Sequence, residues 1–416
     1  MLDLDFALRW MQPRLAEYLQ DLRALVEVDC GTDDKEGVDR AAGLFLAMVQ
    51  RYALRQAQPS VIASAAKQSP LQFEGPALER FPLSSYGDCH LVTWRGKGAL
   101  RLLLSGHLDT VYPRGTVASR PLTQEGNRLL GPGVCDMKAG LLSGLYAVRL
   151  LQAAGFDDFA QIQLFLSPDE EMDSPESKKI YQPLAAQVDA ALVLESARAN
   201  GDIVSARKGN ANYWARVHGR QAHAGVEIEK GANAILELAH FIQRVTALNQ
   251  MHPGTTVNVG VIGGGTRPNV VPDLAWAEVD ARVLTYQAGQ ALDQAVRAIA
   301  ATPQVPGTWI ELEGGVSKGP MEKTAATSLL VELAHRVGDR LGLAFNDVLS
   351  GGTSDGNYIG ELGVPTLDGL GPVGGRDHSP EEYLEADSIV PRTVFLAGLI
   401  AAMAGQREEI RARRGR

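Results

Sequence analysis

Five stretches of this chain end in side chains that can hold a cation or move a proton. The first, ALRLLLSGHLDT (residues 99–110), delivers His107 and Asp109 two residues apart, so an extended backbone turns both to one side and Leu108 to the other. At that spacing a histidine can ligate a metal while the carboxylate orients its ring. A solvated loop histidine beside a turn-forming aspartate fits the same spacing. Asp136 follows Gly131-Pro132-Gly133, Glu170 and Glu171 lie side by side after Pro168-Asp169, Glu195 ends an apolar run, and His378 sits in Gly374–Ser379. Two imidazoles with several carboxylates and no thiolate make a borderline-hard donor set suited to zinc, cobalt or manganese.

Counting charge points to two ions. Two divalent cations carry four positive charges, which Asp136, Glu171, Glu195 and one bridging hydroxide would neutralise. Glu170 is then left over. A carboxylate next to a ligand can take a proton from an attacking water and return it to a leaving amine. Cys135 reads as a small packed side chain, because a thiolate ligand would unbalance the count.

The elements that must position these groups follow from periodicity. Helical spacing covers Leu15–Val26 and Asp39–Tyr52, and a segment of low periodicity, Gln56 to Tyr86, reads as an exposed insertion. Strands are predicted over His90–Trp94, Arg101–Ser105, Gln161–Ser167 and Ala190–Leu194, with helices from Asp136 (as N-cap) to about Ala154 and from Ser177 to Ala186. That alternation is the pattern of a mainly parallel sheet, whose strand carboxyl ends collect ligands. The order then changes. Ile203–Val217 alternates as one long strand, Asn233–Leu248 and Gln290–Ala301 are helical, and Thr255–Ile262, Ala275–Leu284 and Thr308–Glu313 are strands. A βαββαβ order suits a ferredoxin-like sandwich inserted into the larger domain. The expected fold is therefore α/β, with the first domain in residues 1–205 and 319–416 and the inserted one in 206–318. Thr327–Leu341, Val364–Leu367 and Ala386–Ala404 complete the larger domain as helix, strand and helix.

Composition excludes some partners. A formal charge of −9 with no basic stripe argues against nucleic acid, and the basic run Arg407–Arg416 reads as a frayed, solvated terminus. Three scattered cysteines form no disulfide framework, which fits a reducing compartment. No apolar run is read as approaching the roughly 20 residues that span a bilayer. The N-terminal stretch carries Asp3, Asp5 and Arg9 and reads as an amphipathic helix rather than a signal peptide, so a cytoplasmic protein without a membrane partner is expected.

The pieces SGHLDTVYP (105–113), GPGVCDMKAG (131–140), PDEEMDS (168–174), Glu195, GRQAHAG (219–225) and DHS (377–379) resemble, in order, the M20 family of metallopeptidases and amidohydrolases. The likeness is greatest to its glutamate carboxypeptidase branch. The resemblance implies two Zn2+ per subunit (Co2+ or Mn2+ being possible), bridged by Asp136, with His107 and Glu195 on one ion and Glu171 and His378 on the other. It implies Glu170 as general base and acid, acting with a hydroxide shared by the ions, and Asp109 as the group that orients His107. The inserted domain would form a homodimer and send His223 to the partner's active site as an oxyanion donor. Asn269 and Arg282 would hold the carboxylate of a small-molecule or short-peptide substrate, with backbone donors from Gly352 and Thr353. Strand alternation leaves an alternative for Arg282, which shares a face with Asp280. Lys318 stands where that branch tends to carry arginine, and the loop Gly351–Asp355 is slightly altered; both bear on the substrate pocket. The expected reaction is release of a C-terminal amino acid from an amide. N-acyl-amino-acid deacylation, of the acetylornithine or succinyl-diaminopimelate type, and a non-catalytic metal binder are the other readings.

Overall fold

A computed structural model of the chain describes residues 2–56 and 75–414. Much of the expected insertion, residues 57–74, lies outside them; the rest contributes Ala77–Phe81, an exposed edge strand.

The larger unit comprises residues 1–205, 323–348 and 354–416. Its six-stranded sheet contains β1 (Ala77–Phe81), β2 (Cys89–Arg95), β3 (Arg101–His107), β4 (Gln161–Ser167), β5 (Ala190–Val193) and the short strand Thr366–Leu367. The order is β1-β2-β4-β3-β5, then Thr366–Leu367. Pairing is parallel from β4 to Thr366–Leu367 and antiparallel at the β1–β2 edge. A strand covered on both faces must be apolar on both. Leu102 and Leu104 of β3 enter one hydrophobic cluster and Leu103 the opposite one, all fully buried. Register aligns His107 with Ser167 and Ser105 with Val193, so β3, β4 and β5 end together along one edge.

The helix Ala139–Ala153 covers one face and is buried almost throughout. It approaches closely because Gly140 carries no side chain: a Cβ there would collide with the carbonyl oxygen of Leu194, the residue before Glu195.

The smaller unit holds residues 206–322 and 349–353. Its strands β6 (Gly209–His218), β7 (Thr256–Gly264), β8 (Leu274–Val283) and β9 (Trp309–Lys318) form an antiparallel sheet in the order β7-β8-β6-β9. Alternation along β6 buries Tyr213, Ala215 and Val217 against Phe241 and Leu292 of the helices Ala234–Thr246 and Tyr286–Ala300. Trp214 points to the exposed face. This is the βαββαβ sandwich expected for the inserted segment.

Four local readings need correction. Ile203–Val217 is two strands: Ile203–Arg207 pairs with Asp347–Ser350, and β6 belongs to the antiparallel sheet. The basic tail is helical over Arg407–Arg414, docked by an ion pair from Arg407 to Asp189 and by Arg414 donating to the carbonyl of Val188. Ala386–Ala404 is a 19-residue run long and apolar enough to cross a bilayer, yet 78% of it is buried inside the protein. It packs on the helices Ala139–Ala153 and Ala325–Leu341 and so serves the core. Finally, Asp136 is not a helix N-cap, for a reason found at the site below.

The close approach at Gly140 makes a testable contrast with Gly43, whose added Cβ would meet open space. Gly140→Ala should cost about 1–3 kcal/mol by overpacking, read from urea melts. Gly43→Ala should leave stability unchanged or raise it by about 0.4–1 kcal/mol.

Candidate metal centre

The carboxyl edge of the parallel strands carries the expected residues. His107 is the last residue of β3, the Glu170–Met172 turn follows β4, and Glu195 follows β5. Asp136 lies in an irregular turn, Val134–Lys138, before the buried helix, with extended angles (φ −111°, ψ 96°) where a helix start was expected. Its peptide bond to Met137 is cis.

Asp136 is the centre of the cluster. His107 Nε2 lies 2.9 Å from one of its oxygens and 3.6 Å from Glu195 Oε1. His378 Nε2 lies 3.2 Å from the other oxygen and 3.0 Å from Glu171 Oε2. The two imidazoles thus address opposite oxygens of one carboxylate, each with a further carboxylate beside it. All five expected ligands are brought together from sequence positions 107 to 378.

Proton accounting shows what such a cluster wants. The carbonyl oxygen of Asp109 can only accept, so His107 Nδ1, 3.0 Å away, must donate to it. In the neutral ring, Nε2 is then a lone pair facing carboxylate oxygens, a repulsive arrangement unless a cation lies between them. No lysine or arginine pairs with the five residues among the described residues. Burial opposes protonation of His107, but its hydrogen bonds with Asp109 and Asp136 win and hold its pKa well above the ordinary value. Asp136 and Glu171 push His378 up to about 11. Burial works against Asp136, but His107 and His378 draw it well below the usual carboxylate range. Glu195 is raised by burial and then by Asp136; Glu171 is raised by burial despite His378. The cluster attracts positive charge, and two such half-sites sharing a carboxylate suit a pair of divalent cations. The donor spacing also fits, since tetrahedral bonds of roughly 2.0–2.1 Å put ligand atoms about 3.3 Å apart.

The supporting residues are buried. Asp109 accepts from the backbone N–H groups of Glu170 and Glu171, each at 3.2 Å, and from Thr32 Oγ1 at 2.7 Å. It therefore fixes the two glutamates as well as the histidine, whose Nδ1 is 3.4 Å from its carboxylate. Beneath that turn, Asp169 accepts from the N–H of Glu176 and Ser177, while Asp355 takes hydrogen bonds from Ser167 and Tyr181. The charge of Glu170 contributes to the raised pKa of Glu195, which places it within electrostatic reach of the cluster.

Sequence reasoning missed Glu382. Fully buried, it accepts from the backbone N–H groups of Gly133, Cys135 and Asp136 at 2.9, 2.8 and 3.0 Å. Those bonds hold Asp136 out of the following helix, which begins only at Ala139. Thr32 was missed too; neither residue carries a local signal that sets it apart from its polar neighbours.

The other expected residues belong to the smaller unit. His223 is exposed and accepts from the N–H of Gly225; its loop pairs with Val270, and Ala224 donates to the Asn269 carbonyl. Arg282 forks onto Asp280 at 3.0 and 2.9 Å, the alternative that strand alternation named. Gly352 and Thr353 turn their carbonyls to the buried Arg207, and Gly352 N–H faces Ser350 Oγ at 3.3 Å.

Residues 103–402 match peptidase family M20/M25/M40. Carboxypeptidase G2 of Pseudomonas sp. (strain RS-16) is 27% identical over 91% of this chain and 87% of that protein. A succinyl-diaminopimelate desuccinylase of Leptothrix cholodnii is 30% identical over 82% of this chain and 92% of its own. Among solved structures, the aminopeptidase PepT of Bacillus cereus has a TM-score of 0.73 at 22% identity, covering 94% of this chain and 99% of that one. A dinuclear metal binding peptidase of the M20 family from Bacillus subtilis has a TM-score of 0.64 at 14% identity, covering 94% and 98%. At these identities the solved structures speak for the fold, and the sequence match speaks for the family. With a cation-seeking cluster at its centre, the chain belongs to peptidase family M20/M25/M40 and is a metal-dependent hydrolase.

Proposed function

We propose that the chain cleaves an amide or peptide bond and releases a C-terminal amino acid from a small substrate with a free carboxylate, in the manner of a glutamate carboxypeptidase. Two Zn2+ per subunit suit the donor set, with Co2+ or Mn2+ chemically admissible. The observation that carries this reading is the pair of imidazoles facing opposite oxygens of Asp136. On this reading His107 and Glu195 would hold one ion, Glu171 and His378 the other, and Asp136 would serve both. Ions held there would supply polarisation of the scissile carbonyl and a water of lowered pKa.

The remaining work falls to side chains. Glu170 accepts the proton of the attacking water and passes it to the amine nitrogen as the C–N bond breaks. Asp109 supports that role by holding the backbone N–H of Glu170. His223 of a second subunit donates to the carbonyl oxygen as it becomes tetrahedral. Asn269 and Arg282 hold the substrate carboxylate, Arg282 exchanging Asp280 for it, which suits a planar fork. Gly352 and Thr353 would offer backbone N–H donors to the same carboxylate. A homodimer is supported by the exposed Val261 and Ile262 on edge strand β7 and by Ile235 and Leu236 on the neighbouring helix. Three buried, unpaired thiols suit a reducing cytoplasm.

A second reading, N-acyl-amino-acid deacylation, is favoured by the 30% identity to a succinyl-diaminopimelate desuccinylase. A panel of dipeptides, folate-like amides and N-succinyl or N-acetyl amino acids separates the two. Release of free glutamate from Ala-Glu or folate-like substrates supports the first, and exclusive cleavage of small acyl groups replaces it with the second.

Glu170→Gln should lower kcat by roughly 10²–10⁴-fold while elemental analysis finds metal content unchanged. Full activity in that variant would remove Glu170 as the proton carrier. His223→Ala should lower turnover by roughly 10²–10³-fold with an unchanged dimer in light scattering. Mixing these two inactive variants under subunit exchange should restore roughly a quarter of wild-type activity, because half the re-formed dimers are mixed and each has one intact site. No recovery despite proven exchange would confine His223 to its own subunit or remove it from the site.

A further inference from the structure

The two halves of the cluster are not held equally. His107 is 1% exposed at the end of a central strand, and its ring is fixed through Nδ1 by the Asp109 carbonyl. The His378 side chain is 55% exposed, and no described residue is bonded to its Nδ1. Its position therefore depends on the backbone of its loop, residues 376–382. That backbone is unfavourable by itself, since Arg376 (φ 60°) and His378 (φ 62°) both occupy the left-handed region that side chains seldom adopt.

Three features hold the loop. Its ends are joined where Gly375 pairs with Tyr383, and Tyr383 in turn pairs with Leu130, just before the Gly131–Gly133 turn. Tyr112 Oη donates to the Ser379 carbonyl at 2.8 Å. Glu382, the last loop residue, is fully buried and reaches the N–H groups of Gly133, Cys135 and Asp136. Gly133 is left-handed (φ 71°), and the turn gathers these N–H groups around one carboxylate. Glu382 therefore ties the loop that carries His378 to the turn that carries Asp136. The His107 half has a separate link to that turn, the His107 N–H reaching Met137 Sδ at 3.3 Å.

We infer that Glu382 is a positioning residue which braces the His378 loop against the Asp136 turn, and thereby sets the metal affinity of the His378–Glu171 half-site more than that of the His107–Glu195 half-site. The inference rests on the two-ion reading of the cluster. It goes beyond that reading by predicting that the ions are lost unequally.

The test is a Zn2+ titration of chelator-stripped full-length protein, with bound ions counted after desalting. Wild type should take up two ions per chain in two steps. In Glu382→Gln, whose amide turns an N–H toward the N–H groups of the turn, the weaker step should fall by roughly 10–100-fold while the tighter step moves less than threefold. Glu382→Asp, which keeps the charge on a shorter arm, should recover part of that loss. The exposed neighbour Glu381→Gln should change neither step. Should Glu382→Gln fail to fold, Tyr112→Phe decides, because it loosens the same loop from outside and should weaken the same step alone. Two unchanged steps, or an equal fall in both, would overturn the brace. A wild type that binds one ion or none would instead overturn the two-ion reading.

Discussion

The molecule is organised around an electrostatic deficit. Four carboxylates, those of Asp136, Glu170, Glu171 and Glu195, gather at the edge of a sheet whose strands are otherwise apolar on both faces. Among the described residues, no lysine or arginine is paired with Asp136, Glu171 or Glu195; the groups that face them and can carry positive charge are the imidazoles of His107 and His378. Burying charge without compensation is expensive, and the directions in which the histidines and glutamates shift express that cost. Divalent cations would remove the deficit. Much of the surrounding architecture keeps protein groups from removing it first.

That explains the second tier of residues. Asp109, Asp169, Asp355 and Glu382 are buried carboxylates, and the hydrogen bonds that hold them come from N–H groups and hydroxyls rather than from lysine or arginine. Three of them spend charge on fixing backbone, Asp109 on the glutamate turn, Asp169 beneath it and Glu382 on the Asp136 turn, while Asp355 gathers hydroxyls. A cationic partner there would stabilise the fold equally well but would compete with the metal for the cluster. Hydrogen bonding by backbone dipoles satisfies a carboxylate without adding net charge.

Three of the expected ligands, His107, Glu171 and Glu195, were legible because they stand at or just past the end of an apolar run, whereas Asp136 and His378 stood out by their glycine-rich motifs. His107 closes a buried strand, and Glu170-Glu171 and Glu195 follow two others, so strand periodicity alone sends them to a common edge. The βαββαβ order of the inserted unit was legible for the same reason. What escaped depends on partners distant in sequence. Asp136 after Gly-Pro-Gly has the local look of an N-cap, but Glu382, 246 residues away, holds its N–H and overrides that preference. Glu381 and Glu382 are alike in sequence; only the register of Tyr383 with Leu130 makes one of them buried. The alternation in Ile203–Val217 is continuous through a point where the chain changes sheets, since a period of two says nothing about pairing partners. Arg282 shows the opposite case, because the pairing with Asp280 named from alternation is the one the structure contains.

The central claim is that one carboxylate, Asp136, serves two cations at once. Electron paramagnetic resonance of the protein loaded with Mn2+ tests this most directly, because ions about 3.5–4 Å apart on a shared ligand couple magnetically. The expected spectrum at two equivalents is that of a spin-coupled pair, reduced to isolated-ion signals in Asp136→Ala. Isolated, uncoupled Mn2+ signals at full loading of the wild-type protein would contradict the account.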